Sequence, residues 1–373
     1  MLQKLRNAIV LGTLLCAGPV LASDPPPIIK NEQSAAERER VLKLIEEARK
    51  EGSFHWAGVF IEPEEAKKIQ EAFKIHYGMP DLKMEYSFVG SGPLAVQVEQ
   101  QIKANKINFD IVWASAWSWF KDLHRRGEIL EYHSPYYEQY TLSKKAGLSM
   151  DGYWASDART YQPMYNVKVL AQKGITNFDP KSWNDFLDPR FEGMVSLGDV
   201  NQSFSFAEMA ESIRKTNGEE FFYKLGKIVK PVYFAKTAEG RSWVGSGEFP
   251  ITLMGHGKNA SVLRNQNIDV KLIFPVEGIL LMPDTPVILK KAPHPNASRL
   301  FMDFVRSAHG VETVKNSGAE LFFGRPGVKT SNPELFPAWE DIKAIPMNWD
   351  TSTPDTIKKI RDLLKKAGIG RAG

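Results

Sequence analysis

Ser53-Phe-His-Trp-Ala-Gly-Val-Phe60 is a short aromatic and apolar run of the length of a buried strand, and Pro63-Glu64-Glu65 after it supplies the proline and acidic first turn that open a helix. Ala66, Ile69 and Phe73 give that helix an apolar stripe, and Gly78 ends it. The unit repeats. Leu82 to Val89 reads as a strand, Gly90-Ser91-Gly92-Pro93 as a turn, and Leu94, Val98 and Ile102 as one face of the next helix. Phe109-Asp-Ile-Val-Trp113 is a third strand that runs into Ser115 and a further helix. Strands alternating with helices predict a mainly parallel sheet flanked by helices, with ligands at the carboxyl ends of the strands. The pattern restarts at Met194-Val-Ser-Leu-Gly198, followed by a polar turn and a helix from Phe206 to Lys215, then strands at Pro231 to Phe234 and Phe249 to Met254. A second sheet is therefore expected.

The chain has 373 residues. Met1 to Ala22 has the parts of a cleaved secretory signal: Lys4 and Arg6, an apolar run from Ala8 to Leu15, and Val20-Leu21-Ala22. Export to the periplasm is expected, with 23–35, including Pro25-Pro26-Pro27, as an extended leader. The one cysteine, Cys16, lies inside the signal, so no disulfide, thiolate nucleophile or cysteine metal site is expected in the mature chain. Removing Lys4 and Arg6 leaves 46 basic against 44 acidic residues with the signs interspersed, which implies no nucleic-acid surface. A mature length of about 350 residues is more than one core usually fills, so two lobes are expected.

Ile251-Thr-Leu-Met-Gly-His-Gly-Lys-Asn259 invites a phosphate-loop reading, which fails because Thr252 stands where the first glycine belongs and Asn259 where a hydroxyl should follow the lysine. The other mature histidines (His55, His76, His124, His133, His294, His309) form no metal-ligand spacing with His256. His256 and Lys258 are read as donors to an anionic or hydroxylated ligand, or as plain loop residues.

In family order, Glu46-Glu-Ala-Arg-Lys-Glu-Gly52, Phe109 to Trp113, Ala158-Arg-Thr-Tyr-Gln-Pro-Met-Tyr-Asn166, Ser182-Trp-Asn-Asp-Phe-Leu-Asp-Pro-Arg190 with Gly193, Gly245-Ser-Gly-Glu-Phe249, Ala292-Pro-His-Pro-Asn296 and Phe301-Met-Asp-Phe304 appear along the chain. Through them it resembles the periplasmic solute-binding proteins of ATP-driven importers, in the ferric-binding-like branch of the type II fold. The resemblance implies an α/β clamp of two lobes, with 36–163 and 283–373 (with the C-terminal helices) in lobe one and 164–282 in lobe two. Hinge strands would lie near Tyr161 to Tyr165 and Leu280 to Val287. It also implies a small ligand held by closure, delivery to the membrane permease of an ABC importer, no cofactor and no catalysis. A monomer is expected.

Within that frame the candidate ligand contacts are Phe60, Ser91, Gly92, Ser115, Arg159, Asn201, Ser203, Ser205, His256 and Lys258. Arg159 matches the arginine that the family places before its Tyr-Asn crossover to meet an anion; its guanidinium can equally pair with a structural carboxylate such as Asp157. Ser91 and Gly92 open one helix, and Asn201-Gln-Ser-Phe-Ser205 opens the facing one; both suit anion binding or simple capping. Apolar residues at the end of the first strand, Val59 or Phe60, suit an organic body. Ferric-binding relatives use adjacent tyrosines late in the second lobe, and no tyrosine follows Tyr233 here. A small organic anion (phosphate, phosphonate or carboxylate) is the leading expectation. Ferric ion with a chelating or synergistic anion is the alternative. A periplasmic hydrolase is a rival of another class, for which no G-x-S-x-G or H-E-x-x-H motif speaks.

Overall fold

The computed structural model describes residues 34–150, 154–345 and 353–370. The expected signal at 1–22 and nearly all of the leader lie outside the described residues. The leader's last two positions already belong to the fold: Ser34 caps the helix Ala35–Glu51, its hydroxyl accepting from Glu37 N at 3.1 Å.

The fold is the expected α/β type, with two sheets flanked by helices. The first sheet has the order β2-β1-β3-β12-β6. Its parallel half comes from the opening repeat: β1 (Ser53–Gly58), β2 (Lys83–Phe88) and β3 (Ile111–Ala114), with β1 central. The helix Pro63–Tyr77 between β1 and β2 begins with proline, carries a Glu62/Glu65 capping box and stops at Gly78 in the left-handed region. Its buried stripe includes Ala66, Ile69 and Phe73 as the spacing predicts. The helix Ser91–Lys103 starts one residue earlier than a capping role for Ser91 requires: Gly90 is the cap, leaving the Ser91 hydroxyl for other work.

A short antiparallel pair, β4 (Ser149–Met150) and β5 (Trp154–Ala155), precedes β6 (Asp157–Arg159). After Thr160 and Tyr161 the chain enters β7 (Gln162–Asn166) of the second sheet. That sheet has the order β11-β7-β10-β8-β9, with β8 (Val195–Gly198), β9 (Val232–Phe234) and β10 (Ile251–Gly255) parallel, and β7 and β11 (Val270–Leu272) on its antiparallel side. The chain returns through 273–281 into β12 (Met282–Ile288), antiparallel to both β3 and β6. Among the described residues, two strand-to-strand crossings thus join the sheets, a little upstream of the expected ranges in both cases.

The helix Pro295–Arg306 lays Phe301 on β1, its ring 5.0 Å from Trp56, 5.1 Å from Phe54 and 5.6 Å from Phe73. Burying each such ring stabilises the first core by about 1.5–3 kcal/mol. Farther on, Leu335 and Phe336 reach the second sheet's helix Gly257–Asn265, so closely that a Cβ on Gly257 would stand 2.7 Å from the Phe336 ring. The last helix, Pro354–Lys366, packs on the helix Phe204–Asn217, and Arg361 Nε donates to the Val200 carbonyl at 2.9 Å. The chain after 283 therefore does not all stay with the first sheet: its amphipathic final helix finds its apolar partner on the second.

Candidate functional site

The carboxyl ends of the parallel strands in the two sheets face each other across a cavity of about 50 Å³. The first sheet contributes Val59 and Phe60 after β1, Phe88 to Ser91 at the β2 turn, and Arg159 with Tyr161 at the crossing. The second contributes Gln202, Ser203, Ser205 and Phe206 at one helix start, Ala235 to Ala238 at another, and His256, Lys258 and Asn259 at a third. The two helix-opening turns touch. Ser91 Oγ lies 3.1 Å from Ser203 Oγ, which lies 2.8 Å from Ser205 Oγ. Ser203 is the cap residue of Phe204–Asn217 but makes no side-chain cap bond, so its hydroxyl faces across the cavity instead. Gly92 does not line the cavity; it lets the backbones approach, since a Cβ there would meet the Gln202 carbonyl at 2.7 Å.

Arg159 is 5% exposed; its Nε donates to Ser115 Oγ at 3.0 Å and lies in ion-pair contact with Asp284 Oδ2 at 2.5 Å. Ser115 Oγ in turn donates to Asp284 Oδ2 at 2.9 Å. The structural partner is therefore Asp284, not Asp157: the β6–β12 register sets Asp284 opposite Asp157 and diagonal to Arg159, within reach of a long side chain. Asp157 accepts instead from Gly324 N at 2.9 Å, and burial pushes its carboxyl up to about 7. Nη2 of Arg159 is buried without a partner. The guanidinium sits 4.7 Å from the Phe60 ring and 5.8 Å from the Tyr161 ring.

His256 caps the helix Gly257–Asn265, with Nδ1 accepting from Asn259 N at 3.3 Å. Burial first, then the charges of Arg159, Lys258 and Arg241, hold its imidazole well below the ordinary histidine range. The ring is therefore neutral. With Nδ1 an acceptor, its proton belongs on Nε2. That Nε2 is buried and has no partner. The His256 ring lies 5.4 Å from Phe60 and 5.9 Å from Tyr161, so Arg159 and His256 flank the same two aromatic rings.

Lys258 departs from its expected role as a ligand donor. Its Nζ donates to Glu65 Oε2 at 2.6 Å and to the Phe60 carbonyl at 3.0 Å, both on the first sheet's side. Burial lowers the lysine from its ordinary range and raises Glu65, while the short contact opposes both shifts. Arg241 Nη1 makes a second crossing bond to Glu62 Oε1 at 3.1 Å. A third crossing contact is Ser118 Oγ to Glu208 Oε1 at 3.2 Å; Glu208 is fully buried, its Oε2 has no partner, and burial pushes it up to about 8.

Of the sequence-predicted residues, Phe60, Ser91, Arg159, Ser203, Ser205, His256 and Lys258 line the cavity. Ser115 sits beneath Arg159 as its support, and Asn201 is exposed outside the cavity, its backbone N–H held by Asp199 Oδ1 at 2.9 Å. Sequence reasoning missed Asp284, Glu65, Glu62, Arg241 and Glu208, whose roles depend on pairings across the fold. Among the described residues no group of three or more His, Cys, Asp or Glu could hold a metal ion.

The profile of a family described as bacterial extracellular solute-binding proteins matches residues 118–352. No curated protein matches the sequence. Among solved structures, the periplasmic binding protein AfuA from Actinobacillus pleuropneumoniae, with exogenous fructose-6-phosphate bound, is similar with a TM-score of 0.72 at 18% identity, over 83% of this chain and 97% of that one. Iron-bound HitA from Pseudomonas aeruginosa gives 0.66 at 17% identity, over 85% and 99%. Trichodesmium IdiA (FutA), in complex with iron and citrate, gives 0.60 at 13%, over 85% and 99%.

Proposed function

Because the chain belongs to the family of bacterial extracellular solute-binding proteins, we propose that it captures a small organic anion between its lobes and hands it to the permease of an ABC importer. Export through the signal at 1–22 would place it in the periplasm as a monomeric carrier that does not transform the ligand in its cleft. Solute binding is the family's role.

One observation carries it: two buried N–H donors, Arg159 Nη2 and His256 Nε2, lack partners beside one cavity. An unmet buried donor costs about 1–3 kcal/mol, more if charged, and an anionic oxygen would offset that cost for both. Hydroxyls of Ser91, Ser203 and Ser205 stand at the facing helix starts, where free N–H groups and partial positive charge favour an anion. Phe60, Phe88, Tyr161 and Phe206 supply an apolar wall for the ligand's body. The cavity is too small to admit such a molecule unaided, so the lobes must part about the crossings at Thr160–Tyr161 and 273–281 and then close. The sugar phosphate held by AfuA makes sugar phosphates the first compounds to test.

Ferric ion with a chelating anion is the second reading, favoured by the iron and citrate of the Trichodesmium protein. Against it, the unspent donors are cationic or neutral nitrogens, whereas a hard trivalent cation needs anionic oxygens. Titration calorimetry with sugar phosphates, aminophosphonates, carboxylates and ferric citrate separates the two. Saturable binding of an iron-free anion is expected, weakened about tenfold or more by Arg159→Ala, from the 1.5–3 kcal/mol of a charged hydrogen bond. Binding untouched by Arg159→Ala and Ser91→Ala together would remove this site, and a charge-transfer band appearing only with ferric citrate would replace the anion with iron.

A further inference from the structure

The opposite, amino-terminal end of the first sheet's parallel strands carries a second constellation, about 15–20 Å from the cavity along β1 at the usual rise per strand residue. Ser53 opens β1 just after Gly52, whose φ of 70° turns the chain from helix to strand. Asp110 immediately precedes β3, and His294 precedes the helix Pro295–Arg306. Ser53 Oγ lies 2.7 Å from His294 Nε2, and His294 Nδ1 lies 2.9 Å from Asp110 Oδ2. Asp110 is fully buried and fixed by two backbone N–H groups, those of His55 at 2.7 Å and His294 at 2.6 Å. The His294 ring is 23% exposed and Ser53 is half-buried, so the serine end faces solvent.

The chemistry of this arrangement is directional. A carboxylate only accepts, so Nδ1 of His294 carries the proton toward Asp110, Nε2 presents its lone pair, and Ser53 donates to it. Nucleophile, base and orienting carboxylate are thus in hydrogen-bond register, the order that activates a serine on several unrelated folds. From this geometry we infer that Ser53 is a reactive nucleophile with His294 as its general base and Asp110 as the positioning residue, acting on activated acyl esters and phosphoryl fluorides. Ser53 Oγ bonds to the acyl carbon as its proton passes to His294 Nε2, the ester C–O bond breaks, and the leaving alkoxide takes that proton. Water then attacks the acyl-serine, gives a proton to Nε2 and releases the carboxylic acid, and Nε2 returns the proton to Ser53. With a fluorophosphonate, the O–P bond forms, P–F breaks and HF leaves, which stops the cycle at a stable adduct.

An oxyanion hole is the limiting feature. The N–H groups at the neighbouring helix start, those of Asn296 and Ala297, are both taken by Glu51, at 2.9 Å each, and Pro295 has none. One missing oxyanion donor costs about 10²–10³ in rate, which confines the site to good leaving groups.

The test uses the purified protein with a fluorophosphonate probe and with p-nitrophenyl acetate. Mass spectrometry should find one adduct, on the peptide carrying Ser53, absent from Ser53→Ala. His294→Gln should slow labelling about a hundredfold, the lower end of what a positioned general base supplies. A low-field imidazole N–H resonance should vanish in both His294→Gln and Asp110→Asn. Adduct mapping on the unmutated chain needs no variant to fold. No adduct on Ser53, or labelling of equal rate in a folded His294→Gln, would show that the three residues only tie this end of the sheet together, as would p-nitrophenyl acetate turnover equal in the Ser53→Ala protein. Ligand capture in the cleft should be the same in Ser53→Ala, which keeps this inference separate from the proposed transport role.

Discussion

Two buried ion pairs flank the cavity, and they differ in what they join. Arg159–Asp284, at 2.5 Å with both side chains almost fully enclosed, links two strands of one sheet. Lys258–Glu65, at 2.6 Å and nearly as buried, links a helix of the second lobe to a helix of the first. A pair within a sheet persists whether the lobes are shut or parted, so it belongs to the fold. If the lobes part as proposed, a pair across them is made only on closure, so it belongs to that equilibrium. The largest expected effect follows from the first kind. Asp284→Ala leaves the Arg159 charge buried and unpaired, and should lower unfolding free energy by about 3–5 kcal/mol, read by urea denaturation. A loss no greater than that of Lys258→Met would erase the distinction.

Glu208 sharpens the comparison, because it crosses the lobes without a cation. Its contacts are the Ser118 hydroxyl and backbone N–H, and the Arg159 charge favours its ionised form. Held at about 8 by burial in the closed form, it should return toward its ordinary 4.5 when the lobes part and water reaches it. The closed form then holds a proton that the open form releases between those values. Closure is fully supported below about pH 4.5 and loses that support as pH rises through 8. Ligand affinity should therefore weaken with rising pH, by at most about tenfold per unit, and Glu208→Gln should flatten the profile. A profile unchanged by Glu208→Gln would mean that the residue stays buried in both forms.

Lys258→Met tests the crossing pair itself. Parting the lobes lets Glu65 rehydrate, so the variant need not carry an unpaired buried charge into its open form. The expected result is a fold of nearly unchanged stability with ligand affinity reduced about ten- to a hundredfold, from the 1.5–3 kcal/mol of a charged hydrogen bond. Small-angle scattering should show a more extended average shape before ligand is added.

The same division explains what was legible in the sequence. Elements written by neighbouring residues could be read directly: the Pro63 start, the Ala66, Ile69 and Phe73 stripe and the Gly78 stop all stand where the spacing puts them. That Phe60, Ser91, Ser203 and His256 would come together around the cavity was readable because each follows a strand or opens a helix. What could not be read was how donors are spent. Lys258 has the right charge in the right place, yet it donates to Glu65 and to the Phe60 carbonyl. Arg159 pairs with a structural carboxylate, though Asp284 and not Asp157, and keeps Nη2 unmet; Asp284 could not be named without the β6–β12 register. Asn201 shows the limit from the other side: a polar turn residue adjoining two that line the cavity, but pointing to solvent.

The smallest effect is expected where a pair crosses the lobes but stays wet. Arg241–Glu62 spans the same gap as Lys258–Glu65, at 3.1 Å, with side chains 18% and 37% exposed. Solvent screens such a pair and side-chain ordering offsets much of the rest, leaving about 0–1 kcal/mol. Arg241→Gln should then change ligand affinity by less than about fivefold, and that difference should fade at 1 M salt, where the Debye length is about 3 Å. Should Arg241→Gln match Lys258→Met in a calorimetric titration, crossing alone would set the strength of the closure contacts. If it stays near neutral, burial decides which of the two crossing pairs holds the lobes together.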